Sequence, residues 1–154
     1  MPDSHVKTIR VSQDLLERVN TTAGRLGISF NEFATHALEV ALGNKGDENI
    51  GLLADLTQWV EGNFDRTAFP PDVTLLVFHH LRDDRKLRRK YDASIHDPSG
   101  RTNWDALISV HRRIGRMVKR VLAAEVFGRS LALDPKEHLI KAHALLRPSS
   151  VKSE

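Results

Sequence analysis

Near the N-terminus stands a short run of alternating residues with no evident strand after it to pair with. From Val6 to Val11, Ile9 and Val11 fall on one side, with Lys7 at the fraying end, while Val6, Thr8 and Arg10 fall on the other; this is the two-residue period of a β-strand. A strand of about six residues has unpaired backbone donors and acceptors on both edges, and even a two-stranded hairpin is marginal in water without helices packed on it. The residues that follow show only helical spacing. The simplest partner is therefore the same segment of a second chain, antiparallel across a twofold axis, and the chain is expected to form a homodimer.

Ser12 offers an N-cap, and Leu15, Leu16, Val19, Ala23 and Leu26 recur at helical spacing until Gly27 ends the helix. Asn20, Thr21, Thr22 and Gly24 are poor helix formers, so this helix is expected to depend on packing. Ser29 and Glu32 form a capping box that starts a second helix. Its apolar residues Phe30, Phe33, Ala34, Ala37, Leu38, Ala41 and Leu42 make one continuous stripe. Gly43 to Asn49 has two glycines and no apolar side chain, which marks a linker and a domain boundary.

Beyond the linker the pattern reads as helices. One starts after an Asn49 cap and carries Leu52, Leu53, Leu56, Trp59 and Val60. Another is announced by Pro70-Pro71-Asp72 and runs through Val73, Leu76, Val77 and Leu81 into the basic stretch Arg85 to Lys90. Val73 to Phe78 would also suit a buried strand, but its length and lack of a partner favour helix. Asp97-Pro98-Ser99-Gly100 is a turn, and Asn103 opens the longest helix, with Trp104, Leu107, Ile108, His111, Met117, Val118, Val121 and Leu122 as its apolar set. Asp134-Pro135 is read as the start of a last helix bearing Leu139, Ile140, His143 and Leu146, followed by a frayed tail over 148–154.

In a paired ribbon the Ile9 and Val11 face is buried and Thr8, Arg10 and Val6 look outward, and a two-stranded ribbon fits the major groove of B-DNA. Arg10 can donate two hydrogen bonds to guanine O6 and N7, Thr8 can bond either edge type, and Val6 offers only an apolar contact. Here residues 5–43 resemble the ribbon-helix-helix superfamily that includes the Arc, MetJ and CopG repressors. The runs that carry the resemblance are Thr8-Ile9-Arg10-Val11-Ser12, Leu15-Leu16-Glu17-Arg18-Val19, Ala23-Gly24-Arg25-Leu26-Gly27-Ile28-Ser29 and the Ala37-Leu38 stripe. The resemblance implies base reading by Thr8 and Arg10, and a phosphate held by the N-terminus of the second helix at Ser29, Phe30 and Asn31. A helix N-terminus, with its free N–H groups and partial positive charge, suits that task. Many relatives have only polar residues at the outward strand positions, and Val6 departs from that pattern.

The expected fold is thus mostly α: a ribbon-helix-helix module over 1–43, whose one short strand pairs across a homodimer, a linker over 44–49, and an all-α helical domain over 50–147. A net charge of +3 is compatible with nucleic acid, but residues 1–48 hold five basic residues against seven acidic ones. Residues 82–120 hold twelve basic against five acidic. Affinity for a phosphate backbone is therefore expected to draw on the second half. There Arg112, Arg113, Arg116, Lys119 and Arg120 share one helix face, a candidate for DNA or protein-partner contacts and equally suited to be a solvated face.

Several classes of function are not expected. Zero cysteines exclude disulfides, thiolate nucleophiles and cysteine-type zinc sites. The eight histidines do not fall at i, i+4 on one helix face and form no HExxH, so no metal is expected, nor any cofactor. Phosphate loops, paired catalytic carboxylates and a nucleophile elbow are absent, so no enzyme is expected. Trp59, Phe78 and Trp104 lie in helical stripes and are read as core. No membrane span or signal peptide is evident, which places the chain in the cytoplasm, on the nucleoid. The expected function is a bacterial sequence-specific transcriptional regulator on a palindromic or repeated operator. It acts as a homodimer or in higher order on DNA, and its helical domain contacts RNA polymerase, an effector or more DNA. The alternatives are an antitoxin that represses its own toxin–antitoxin pair and an accessory DNA-binding protein of plasmid transfer or replication. RNA binding gains little support from 6% aromatic residues.

Overall fold

A computed structural model describes residues 6–44 and 46–149. Ser12 caps α1 (Gln13–Leu26) by accepting from the Leu15 amide at 3.2 Å, and the helix stops where Gly27 takes φ 70°. There the Gly27 amide donates to Gly24 and the Ile28 amide to Ala23, at 3.2 and 3.1 Å, which satisfies the last carbonyls of the helix. The capping box opens α2 (Phe30–Ala41): Glu32 N donates to Ser29 Oγ at 3.1 Å and Ser29 N to Glu32 Oε2 at 2.9 Å.

Two helix starts differ from the sequence reading. Helix α3 (Glu48–Asn63) is capped by Asp47, whose Oδ1 accepts from Asn49 N at 2.9 Å, so the cap lies two residues before Asn49. The helix expected to run from Val73 into the basic stretch is two helices, α4 (Val73–Asp83) and α5 (Arg85–Ile95). Asp84 breaks the run with an extended ψ of 120° and caps α5 through Leu87 N at 3.0 Å, because a short carboxylate competes for free N–H groups better than it continues a helix. Helix α6 (Trp104–Val121) starts at the expected Asn103 cap.

Helix α3 buries Leu52, Leu53, Leu56 and Val60 completely and packs against α5 and α6, and these residues share one apolar cluster with Leu87, Tyr91, Ile114 and Met117. Ala23, Leu26 and Ile28 belong to the same apolar cluster, which joins α1 to the rest of the chain. Arg25 pairs with Glu61 and Arg113 with Glu32 across that junction.

The expected fold class is corrected at both ends. At the N-terminus, Val6 to Val11 form no strand within the chain and are exposed throughout. Their edges have no partner there, which is the condition under which so short a strand does not form. At the C-terminus, the expected all-α domain ends in an antiparallel pair, β1 (Ala124–Ala132) and β2 (Ala142–Pro148). Helix α6 gives way at Leu122 and Ala123, the latter at φ 47°. Asp134-Pro135 does not start a helix: Asp134 accepts from Lys136 N at its side chain and from Glu137 N at its carbonyl, making a turn in the 133–141 connection.

His143 and Leu146, three apart, suit a helical face by spacing and are both buried in β2. A regular strand would put them on opposite faces. The ladder is irregular opposite them, running from Phe127↔Leu145 to Leu131↔His143, so β1 has two extra residues there, around Gly128 at φ 68°. Leu146 N donates to Pro71 O at 2.9 Å and Arg82 to Glu137 O at 2.9 Å, fastening the hairpin to α4. Pro148 ends β2, and the rest of the expected tail from Val151 on lies outside the described residues, as do residues 1–5, Lys45 and Ser150.

Candidate nucleic-acid interface

Thr8 and Arg10 lie on the exposed N-terminal segment, and no hydrogen bond or ion pair engages their side chains among the described residues. Val6 is 94% exposed and Ile9 75%. Helix α2 is covered only on the side of Phe33, which packs against the core, and Leu38, Val40 and Leu42 at its C-terminal end face solvent. Leu15 of α1 is exposed as well. The N-terminal module thus presents large apolar side chains on the Val6–Val11 segment and on both of its helices.

The phosphate-anchoring candidates sit where α2 begins. The capping box occupies the Ser29 and Glu32 amides and leaves those of Phe30 and Asn31 without a partner among the described residues. The Glu32 carboxyl is held below its ordinary range, first by the hydrogen bond from the Ser29 amide, against partial burial, which raises it, and with help from the nearby Arg113 guanidinium. Arg113 reaches Glu32 at 3.2 Å and offsets a negative charge that would otherwise repel a phosphate from this helix end.

The basic residues of α6 divide by orientation. Arg113 is turned to Glu32, and the Arg120 guanidinium lies against Gly27, where it would overlap any added side chain. Arg112, Arg116 and Lys119 have no ion-pair partner among the described residues. They border a cleft of about 800 Å³ between α4, α6 and the hairpin, lined by Phe78, Leu107, Ile108, Leu139, Ile140 and His143 among others. Trp104, expected in the core, is instead 65% exposed at this cleft because it is the first residue of α6 and no element crosses above it. Phe78 is buried, and Trp59 stacks on His80 with ring centroids 4.0 Å apart.

Histidine contacts join residues far apart in sequence. His79 Nε2 lies 2.9 Å from His138 Nδ1, and His111 Nε2 lies 2.8 Å from the Tyr91 hydroxyl. Burial lowers His111 and pushes Tyr91 up to about 12, so the neutral forms of both are favoured at neutral pH. Among the described residues no three His, Asp or Glu side chains converge as a metal site, and no helix is long and apolar enough to cross a membrane. The sequence reading did not anticipate this cleft, whose walls come from α4, α6 and the hairpin, far apart in sequence. No family model, curated protein or solved structure matches the chain.

Proposed function

We propose that this chain is a sequence-specific DNA-binding regulator that works as a homodimer in the cytoplasm, with the Val6–Val11 segments of two copies paired in the major groove. The observation that carries this reading is the uncovered apolar surface of the N-terminal module: Val6, Ile9, Leu38 and Leu42 are 94%, 75%, 57% and 78% exposed in the single chain. Such a surface marks an interaction site, and a second copy offers the matching edge and the matching helix faces. Thr8 and Arg10 then read base edges, Val6 touches at most a thymine methyl, and the free amides of Phe30 and Asn31 hold a phosphate beside Ser29. The resemblance to ribbon-helix-helix repressors gives the same roles to the same positions.

The basic side chains of α6 supply the phosphate contacts that the near-neutral N-terminal module lacks. Arg112, Arg116 and Lys119 are available for this, while Arg113 and Arg120 bind α6 to the module that reads the sequence. Selection of binding sites from a pool of random duplexes tests the reading. The expected outcome is a short palindromic or repeated motif bound by dimers. Enrichment of no motif, or binding by monomers alone, refutes it. Co-purification of a toxin or a relaxase with the bound complex would assign the antitoxin or plasmid-transfer variant of the same activity.

A further inference from the structure

The apolar interior of the cleft between α4, α6 and β2 has no role in reading bases, and its walls have the makings of a ligand site. It encloses about 800 Å³, within the range of small-molecule pockets. Apolar side chains make most of its walls, and Trp104 and Ile108 stand exposed at 65% and 46%. Four cations, Arg112, Arg116, Lys119 and Lys141, line it without an ion-pair partner among the described residues. His143 also lines it, 5% exposed, with Nδ1 buried and unpartnered.

We propose that this cleft binds an amphipathic organic anion, a carboxylate on an apolar body of fatty-acyl or fused-aromatic size. The apolar body lies against Trp104, Leu107, Ile108 and Ile140, and the carboxylate meets the cations of α6 and Lys141. A DNA backbone fits less well, since it has phosphates for the cations and nothing to fill the apolar walls. The site has a regulatory consequence that rests on the DNA-binding reading: a carboxylate on Arg112 and Arg116 takes the charges that would meet DNA phosphates, so ligand and DNA compete.

Decanoate, below the concentration at which it forms micelles, is a suitable probe, with decanol and decylammonium as uncharged and cationic counterparts. By calorimetry on the full chain, decanoate is expected to bind saturably at one site per chain, at least about tenfold more tightly than either counterpart. Lys141→Gln and Arg116→Gln are each expected to weaken decanoate and leave decanol unchanged. Trp104 emission should shift with the same saturation curve, and the shift should vanish in Trp104→Phe. Gly115→Leu projects into the cleft from a position where a Cβ meets nothing within 4 Å, and it should abolish binding while the thermal transition is retained. Absence of saturable binding, equal affinity for decanol, or binding unaffected by Gly115→Leu overturns the proposal. DNA binding by the ligand-free protein is measured separately, so loss of either result leaves the other standing.

Discussion

Replacing Gly27 by Ala probes the joint between the N-terminal module and the rest of the chain. Gly27 sits at φ 70° at the end of α1, and a Cβ there would overlap the Arg120 guanidinium of α6. A non-glycine residue in the left-handed region costs roughly 1–2 kcal/mol, of which about 0.4–1 kcal/mol is offset by the reduced freedom of the unfolded chain. Displacing Arg120 loses the packing of its stem and guanidinium, on the order of 1 kcal/mol more. The sum is about 1–2.5 kcal/mol, or a fall in Tm of roughly 2–10 °C for a chain of this size. Urea unfolding of the wild type, Gly27→Ala, Arg120→Ala and the double variant separates the contributions. The coupling between the two sites should be about 1 kcal/mol, because removing Arg120 relieves the overlap but not the strain. A neutral or stabilising Gly27→Ala refutes the strained cap, and strict additivity refutes the contact between α6 and the turn.

Other surfaces give independent outcomes. Leu38→Glu places a charge on an α2 residue that is already exposed in one chain, so monomer folding should be unaffected, while sedimentation equilibrium should show the dimer weakened at least about tenfold; an unchanged dimer removes α2 from the interface. Replacing Arg112, Arg116 and Lys119 together by Gln should flatten the dependence of DNA affinity on salt by about 0.9 for each phosphate no longer neutralised; an unchanged slope removes α6 from the DNA. Burial lowers His111 below its ordinary 6.5, so the unfolded chain binds the proton more readily than the folded one. The stability this contributes is complete above pH 6.5 and is lost as pH falls through the lowered folded value. His111→Phe should flatten the stability–pH curve over that window, and an unaltered curve would assign the pH dependence to other groups.

What the sequence made legible was local. Ser12, Gly27, the Ser29–Glu32 box and Asn103 act within three or four residues of themselves, and each marks a helix end in the structure. Asp84 is hard to read because the basic residues after it continue an acceptable helical pattern, and only backbone geometry shows that it caps instead. The hairpin is hidden for three reasons: a connection over 133–141 rather than a tight turn, two extra residues of β1 around Gly128, and a buried His143–Leu146 pair that imitates helical spacing. The cleft has no sequence signature of its own, since it exists only when residues of α4, α6 and β2 meet. Trp104 misleads in the opposite sense: its periodicity is helical, but periodicity does not say whether anything covers the helix end.

The segment Val6 to Val11 is the hardest case, because its proposed pairing depends on a molecule other than the chain itself. Alone it is exposed and unpaired; in the proposed dimer the same alternation supplies the ribbon that reads DNA. The decisive measurement is the affinity of Arg10→Ala for the selected operator and for a scrambled duplex at one salt concentration. Base reading predicts a loss of about 1–3 kcal/mol on the operator, relaxed preference at one base pair per half-site, and a much smaller loss on the scrambled duplex. Equal loss on both duplexes, or none on either, would contradict it.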